Sequence, residues 1–121
     1  MNKNILFVDD EPDILTISTF RLKKMGYSVI VAAGGREALD MIRKEKPALV
    51  FLDLLMPDLD GYDICKIIKN DKNLKNIPVI LFTAVEDTRV AKAVAETNAD
   101  GFLIKPYEPE QLLEIVHKYI P

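Results

Sequence analysis

The residues of this chain best suited to chemistry are a few carboxylates, one hydroxyl and one amine, each placed just after an apolar run. Asn4–Val8 is followed by Asp9-Asp10, Ala48–Leu52 by Asp53, Ile77–Phe82 by Thr83, and Gly101–Ile104 by Lys105-Pro106. Singly these are weak signals: an Asp pair commonly serves a turn, a Thr commonly caps a helix, and a lone Lys-Pro carries little. Gathered together they describe one site. Three carboxylates held within a few ångströms stay ionised only beside a compensating cation; otherwise at least one pKa rises. Hard oxygen ligands with room for water suit Mg2+, or Mn2+ in its place, rather than Zn2+. The amine of Lys105 is a point charge for phosphate oxygens, and the Thr83 hydroxyl is a donor to another. Acid cluster, divalent ion, amine and hydroxyl together make a phosphoryl-group site, where positioning and charge neutralisation dominate. A carboxylate there is also a nucleophile, whose product is an acyl phosphate.

These groups meet only if the fold brings the four run ends together, and the patterning between the runs predicts that it does. Residues 12–25 read as a helix, with Pro12 in its first turn and Gly26 as its C-terminal cap. Tyr27–Val31 reads as a strand. Gly34-Gly35 precede a helix to about Glu45, with Ala38, Leu39, Met41 and Ile42 on its apolar side and Pro47 ending it. Ala48–Leu52 is apolar throughout, as expected of a strand covered on both faces. Asp53–Asp60 is a loop, and Tyr62, Cys65 and Ile68 mark a helix to about Asn70. Ile77–Phe82 is a fourth strand, Glu86–Thr97 a helix with Asn98 as a left-handed cap, and Gly101–Ile104 a fifth strand. Pro109 opens a last helix whose Leu112, Val116 and Ile120 share a face. Strand and helix alternate five times. The expected fold is therefore α/β: a doubly wound, five-stranded parallel sheet with helices on both faces and the flavodoxin-like order 2-1-3-4-5. Its ligand site lies beyond the carboxyl ends of the strands, at the switch between the first and third.

Composition narrows the setting. A length of 121 residues, 49% of them apolar, suits one domain over residues 1–121. The single Cys excludes an internal disulfide and a Cys-based metal cage, and suits a reducing cytoplasm. No apolar run approaches the roughly 18 residues of a membrane span. Lys and Arg number 16 against 19 Asp and Glu, so there is no basic excess for direct nucleic acid binding. An output module is the part expected to be missing, either because the chain acts by protein contact or because one was cut away at Pro121.

With these motifs in order, the chain resembles a receiver domain of the two-component response regulator family, of the chemotaxis and sporulation-relay type. The resemblance rests on Ile5–Glu11, Leu49–Pro57, Asp60-Gly61, Thr83-Ala84 and Lys105-Pro106, and it spans nearly the whole chain. It implies a regulatory phosphoprotein rather than an enzyme with turnover. Asp53 would accept a phosphoryl group from a phosphohistidine of a histidine kinase or phosphotransfer protein. Asp10, Asp53 and the backbone carbonyl of Leu55 would bind Mg2+ directly, with Asp9 acting through water. Lys105 would contact a phosphoryl oxygen, its bond to Pro106 would be cis, Thr83 would turn towards the phosphate and Phe102 would swing inward. The signal would leave through the surface of the fourth helix, fifth strand and fifth helix, to an unknown downstream protein or a phosphorylation-dependent dimer.

Several residues carry two readings. Phe102, where the family often has Tyr, is either an ordinary core phenyl or the moving switch. Apolar Leu55 and Val85 flank the acceptor site and suggest slow self-dephosphorylation. The first helix carries Ile14, Leu15, Ile17, Phe20, Leu22 and Met25, mostly expected in the core, with Ile14, Ile17 and Pro106 as candidate contacts for the phosphodonor protein. Tyr107 reads as loop packing, Cys65 as core, and His117 as an ordinary helix position rather than a phosphodonor. Asp58 and Asp60 read as turn and helix-start residues, and Lys92, Glu96 and Asp100 as exposed charges. The competing function is an aspartyl-nucleophile phosphohydrolase of haloacid-dehalogenase type, disfavoured because Leu55 stands where its second Asp is needed. A flavin carrier is disfavoured by the carboxylates after the first strand, which repel a flavin phosphate.

Overall fold

A computed structural model describes residues 3–54, 56, 58, 60–84, 90–105 and 107–120. Strands β1 (Asn4–Val8), β2 (Ser28–Ala32), β3 (Leu49–Asp53), β4 (Val79–Ala84) and β5 (Gly101–Lys105) alternate with five helices. These are α1 (Pro12–Lys24), α2 (Gly35–Glu45), α3 (Gly61–Asn70), α4 (Val90–Thr97) and α5 (Pro109–Tyr119). All strand pairs are parallel, in the order β2-β1-β3-β4-β5. The doubly wound sheet expected from the sequence is the one observed.

Continuous apolar strands fit this sheet because each face has its own helical layer. Successive side chains of a strand point to opposite faces. Ile5 and Phe7, Leu49 and Phe51, and Ile80 and Phe82 pack on one side with Leu22 of α1 and Leu112 and Val116 of α5. Leu6 and Val8, Val50 and Leu52, and Val79 and Leu81 pack on the other with Ala38, Ile42, Ile64, Cys65 and Ile68. Phe7 lies at the centre of the first layer, with ring centroids 5.2 Å from Phe51 and 5.1 Å from Phe82. Among the described residues, no helix is long and apolar enough to cross a membrane.

Several boundaries differ from expectation. β2 begins and ends one residue later than Tyr27–Val31, and β4 begins at Val79. Pro78 stays outside the ladder, consistent with its missing N–H, yet its carbonyl accepts from Val50 N at 2.9 Å. β3 and β4 run on to include Asp53 and Thr83, so both side chains are held by strand backbone rather than by loops. Gly26 and Asn98 take the expected left-handed conformation, and so does Lys46, just before Pro47. The start expected for α4, residues 86–89, lies outside the described residues.

The apolar residues of α1 and its C-terminal end divide evenly: Leu22 is core with Ile14 and Leu15 packed half-buried against the same layer, and Ile17, Phe20 and Met25 face out. Ser18 and Leu22 are the buried residues of α1, whereas Ile17 is 56% and Phe20 65% exposed, and Met25 is exposed beside them. A helix lying on a sheet buries one stripe only, and here Ile14, Leu15, Ser18 and Leu22 form it while Ile17 and Phe20 face outward.

Candidate functional site

The site is built where β1, β3, β4 and β5 end. Asp9 follows β1 directly; its N–H donates to Ala32 O at 3.2 Å, which keeps the chain in line beyond the strand. Its carboxylate is fully buried. Oδ1 accepts from Glu11 N at 3.0 Å, and Oδ2 lies 2.9 Å from Lys105 Nζ, a charge contact whose angles fall short of a hydrogen bond. Asp53 ends β3, also buried, with Oδ2 3.4 Å from Lys105 Nζ. Asp10 and Glu11 are exposed, and Glu11 Oε1 is a further 3.4 Å contact of the same ammonium. The carboxylate oxygens of Asp9, Asp10, Glu11 and Asp53 lie within 4.8 Å of one another.

Two features of α3 press this arrangement together. Gly61 N donates to Leu54 O at 2.9 Å, and a Cβ on Gly61 would lie 2.1 Å from the carbonyl oxygen of Asp53. Only a residue without a side chain lets the helix start this close to the strand end. Asp60 caps the same helix, accepting from Asp63 N at 3.0 Å. Leu54 N donates to Phe82 O at 3.1 Å, continuing the β3–β4 ladder past Asp53.

Lys105 closes the site from β5, its Nζ 4.8 Å over the Phe82 ring. Burial pulls its pKa down, but the contact with Asp9 and the charges of Asp53, Asp9 and Glu11 outweigh it and hold the ammonium above its ordinary value. Thr83 is buried, and its register partner on β5 is Ile104, next to Lys105. Among the described residues, four carboxylates therefore gather around the Lys105 ammonium. The donors are all hard oxygens, and buried Asp9 Oδ2 has no hydrogen bond to satisfy it, so a divalent cation of the Mg2+ kind fits this cluster.

Asp9, Asp10, Asp53 and Lys105 are thus brought together as expected, with Thr83 at the neighbouring strand end. Glu11 joins them without having stood out among the sequence candidates; its position beside the Asp pair is the one signal that points to it. Leu55, Val85 and Pro106 lie outside the described residues, and with them the Lys105–Pro106 bond. Phe102 is not a core phenyl: it is 46% exposed on β5, which among the described residues pairs with β4 alone at the edge of the sheet. It lines a shallow groove of about 280 Å3 with Ile80, Ile115 and Tyr119. On α1, Ile14 is half-buried and Ile17 exposed.

The other residues with two readings also find places. Tyr107 is half-buried, its hydroxyl bonded to that of buried Ser18. Cys65 is core, its thiol pKa raised by burial. His117 is exposed, with Nδ1 3.2 Å from the Tyr27 hydroxyl. Asp100 is more than an exposed charge: its Oδ2 accepts from Lys69 Nζ and from Val79 N, both at 2.7 Å. Glu96 likewise accepts from the Tyr62 hydroxyl.

The family model for the response regulator receiver domain matches residues 5–117. The chain belongs to that family. Among curated proteins, this receiver domain is 41% identical over 110 residues to a probable transcriptional regulator, ycf27, of Porphyridium aerugineum, covering 91% of this chain and 45% of that one. It spans less than half the length of such curated relatives. Among solved structures, a putative response regulator from Chloroflexus aurantiacus J-10-fl superposes with a TM-score of 0.91 at 34% identity, over 98% of each chain. The receiver domain of a sensor histidine kinase from Pseudomonas aeruginosa PAO1, solved with a magnesium ion in its active site cleft, gives 0.89 at 26% identity, over 99% of this chain and 98% of that one.

Proposed function

We propose that this receiver domain accepts a phosphoryl group on Asp53 from the phosphohistidine of a histidine kinase or phosphotransfer protein, and signals in that state. The observation that carries this reading is the Asp53 carboxylate at the end of β3, 3.4 Å from a Lys105 ammonium shared with Asp9 and Glu11. An Asp53 carboxylate oxygen attacks phosphorus, the P–N bond of the donor breaks, and its electron pair leaves on the imidazole nitrogen. An acyl phosphate remains on Asp53. Lys105, held protonated, neutralises charge on a phosphoryl oxygen, and the Thr83 hydroxyl donates to another. Asp10, Asp53 and the Leu55 backbone carbonyl would hold Mg2+ directly and Asp9 through water, and the ion would neutralise phosphoryl charge when bound.

Phosphorylation then draws Thr83 towards the new group and Phe102 out of its exposed groove, reshaping the surface of α4, β5 and α5 for a downstream protein or a second copy. The phosphodonor protein docks on Ile14, Ile17 and Pro106. In the cytoplasm the domain acts as a switch and not as an enzyme with turnover.

Incubation with acetyl phosphate and Mg2+, read by intact mass, tests the reading. Wild type is expected to gain one phosphoryl group, and Asp53→Asn or wild type in EDTA none. Equal labelling of wild type and Asp53→Asn would remove Asp53 as the acceptor.

A further inference from the structure

The N-terminus of α2 has no cap of its own, because Gly34 at the N-cap position has no side chain to offer. Its first amides are satisfied from another part of the chain. Asp58 Oδ1 accepts from Gly35 N at 2.9 Å, and Asp58 Oδ2 from Arg36 N at 3.2 Å, across 23 and 22 residues of sequence. A carboxylate spread over two amides at the positive end of a helix is a charge-assisted cap. The fit is close: a Cβ on Gly34 would sit 3.3 Å from both Asp58 oxygens. Turn chemistry, expected for Asp58 from the sequence, does not describe a bond to α2.

Where this tie runs matters more than its strength. Asp58 lies between Asp53 and α3, and α2 begins just beyond the end of β2. In the sheet, β1 lies between β2 and β3. The Asp58–α2 tie therefore spans the end of β1, where Asp9 and Asp10 stand. Among the other described residues of the segment, Leu54 bonds to β4 and α3, Asp60 caps α3, and Leu54 and Met56 are buried in the apolar cluster that also holds Val8, Ala32 and Ala38. Asp58 adds to these apolar contacts a directional polar tie to the opposite flank of the acid cluster.

We propose that Asp58 is a positioning residue: by tying the Asp53 segment to α2 across β1, it fixes the separation of Asp53 from Asp9 and Asp10, and so sets the affinity of the cluster for a divalent cation. This rests on the receiver reading above. Calorimetric Mg2+ titration, thermal unfolding in EDTA and acetyl phosphate labelling test it on wild type, Asp58→Ala and Asp58→Ala with Gly34→Ser. Asp58→Ala is expected to lower Mg2+ affinity about tenfold, the scale of losing an outer-shell support, and to lower Tm by a few degrees. Gly34→Ser then restores a local cap, since Gly34 is extended and accepts any residue, so Tm recovers while Mg2+ affinity stays low. Should Asp58→Ala not fold, Asp58→Asn, which keeps one acceptor oxygen, is expected to show the same pattern in smaller degree. Unchanged Mg2+ affinity in Asp58→Ala, or affinity that returns together with Tm in the double variant, would overturn the proposal. Wild type that binds Mg2+ and is labelled while Asp58→Ala matches it sinks only the Asp58 role. Wild type that does neither sinks the receiver reading, and this role with it.

Discussion

At the scale of single residues, Lys105 is the group on which the site balances. It is the cation shared by Asp9, Asp53 and Glu11, and its protonated form is favoured because those carboxylates outweigh its burial. A folded-state pKa above the unfolded value of about 10.4 means that the folded chain binds the proton more tightly. The resulting stabilisation is complete below about pH 10.4 and is lost as pH rises through the folded pKa. In EDTA, the difference in urea stability between wild type and Lys105→Met should therefore be flat from about pH 8 to 10 and fall above that in the direction of wild-type loss. A difference that stays constant to about pH 11.5 would detach Lys105 from the carboxylates. Residue type and position at the strand ends make Asp9, Asp10, Asp53, Thr83 and Lys105 legible in the sequence alone. Glu11 is not, because an exposed acid beside two others looks like solvated charge until distances are known. Nor is the outward placement of Phe102, since an aromatic on an apolar strand is ordinarily core.

Elements are held to one another by polar ties that have no local sequence signature. Lys69 near the end of α3 is nearly buried, and its ammonium donates to Lys75 O at 3.1 Å, Ile77 O at 2.8 Å and Asp100 Oδ2 at 2.7 Å. Asp100 in turn takes the N–H of Val79, the first residue of β4. One amine thus fastens the end of α3, the turn after it and the approach to β5. Lys69→Met keeps the apolar stem but strands two carbonyls and a part-buried carboxylate, and should lower stability by about 2–3 kcal/mol in urea unfolding. A loss below about 0.5 kcal/mol would place this tie among ordinary surface pairs. The Asp58 cap on α2 belongs to the same class. Sequence periodicity reports which residues are apolar and at what spacing, but a Lys or Asp reads alike whether it faces solvent or three backbone acceptors. For the same reason the apolar pattern stops β3 and β4 short of Asp53 and Thr83: a polar residue signals a loop, although both continue their ladders.

On the scale of the whole molecule, stability comes from two apolar layers, one on each side of a single sheet. Two residues of α1 show how sharply that boundary runs. Leu22 is fully buried against the sheet, and Phe20, although larger, is mostly exposed. Leu22→Ala should cost about 2–5 kcal/mol, whereas Phe20→Ser should stay within about 0.5 kcal/mol of wild type, both read as urea midpoints at constant slope. Comparable losses from the two would mean that the outer face of α1 is covered in the isolated chain. The sequence by itself determined the alternation of strand and helix, the parallel order of the sheet and the collection of carboxylates, hydroxyl and amine at its carboxyl edge. Those follow from periodicity and topology, which are local patterns combined with few alternatives. Only the tertiary structure decided which face of α1 is buried, that Asp58 caps a helix far from it in sequence, and that Lys69 and Asp100 join three elements. These depend on distances between segments remote in the chain, where one side chain satisfies another's unmet hydrogen bonds, and no local pattern encodes that pairing.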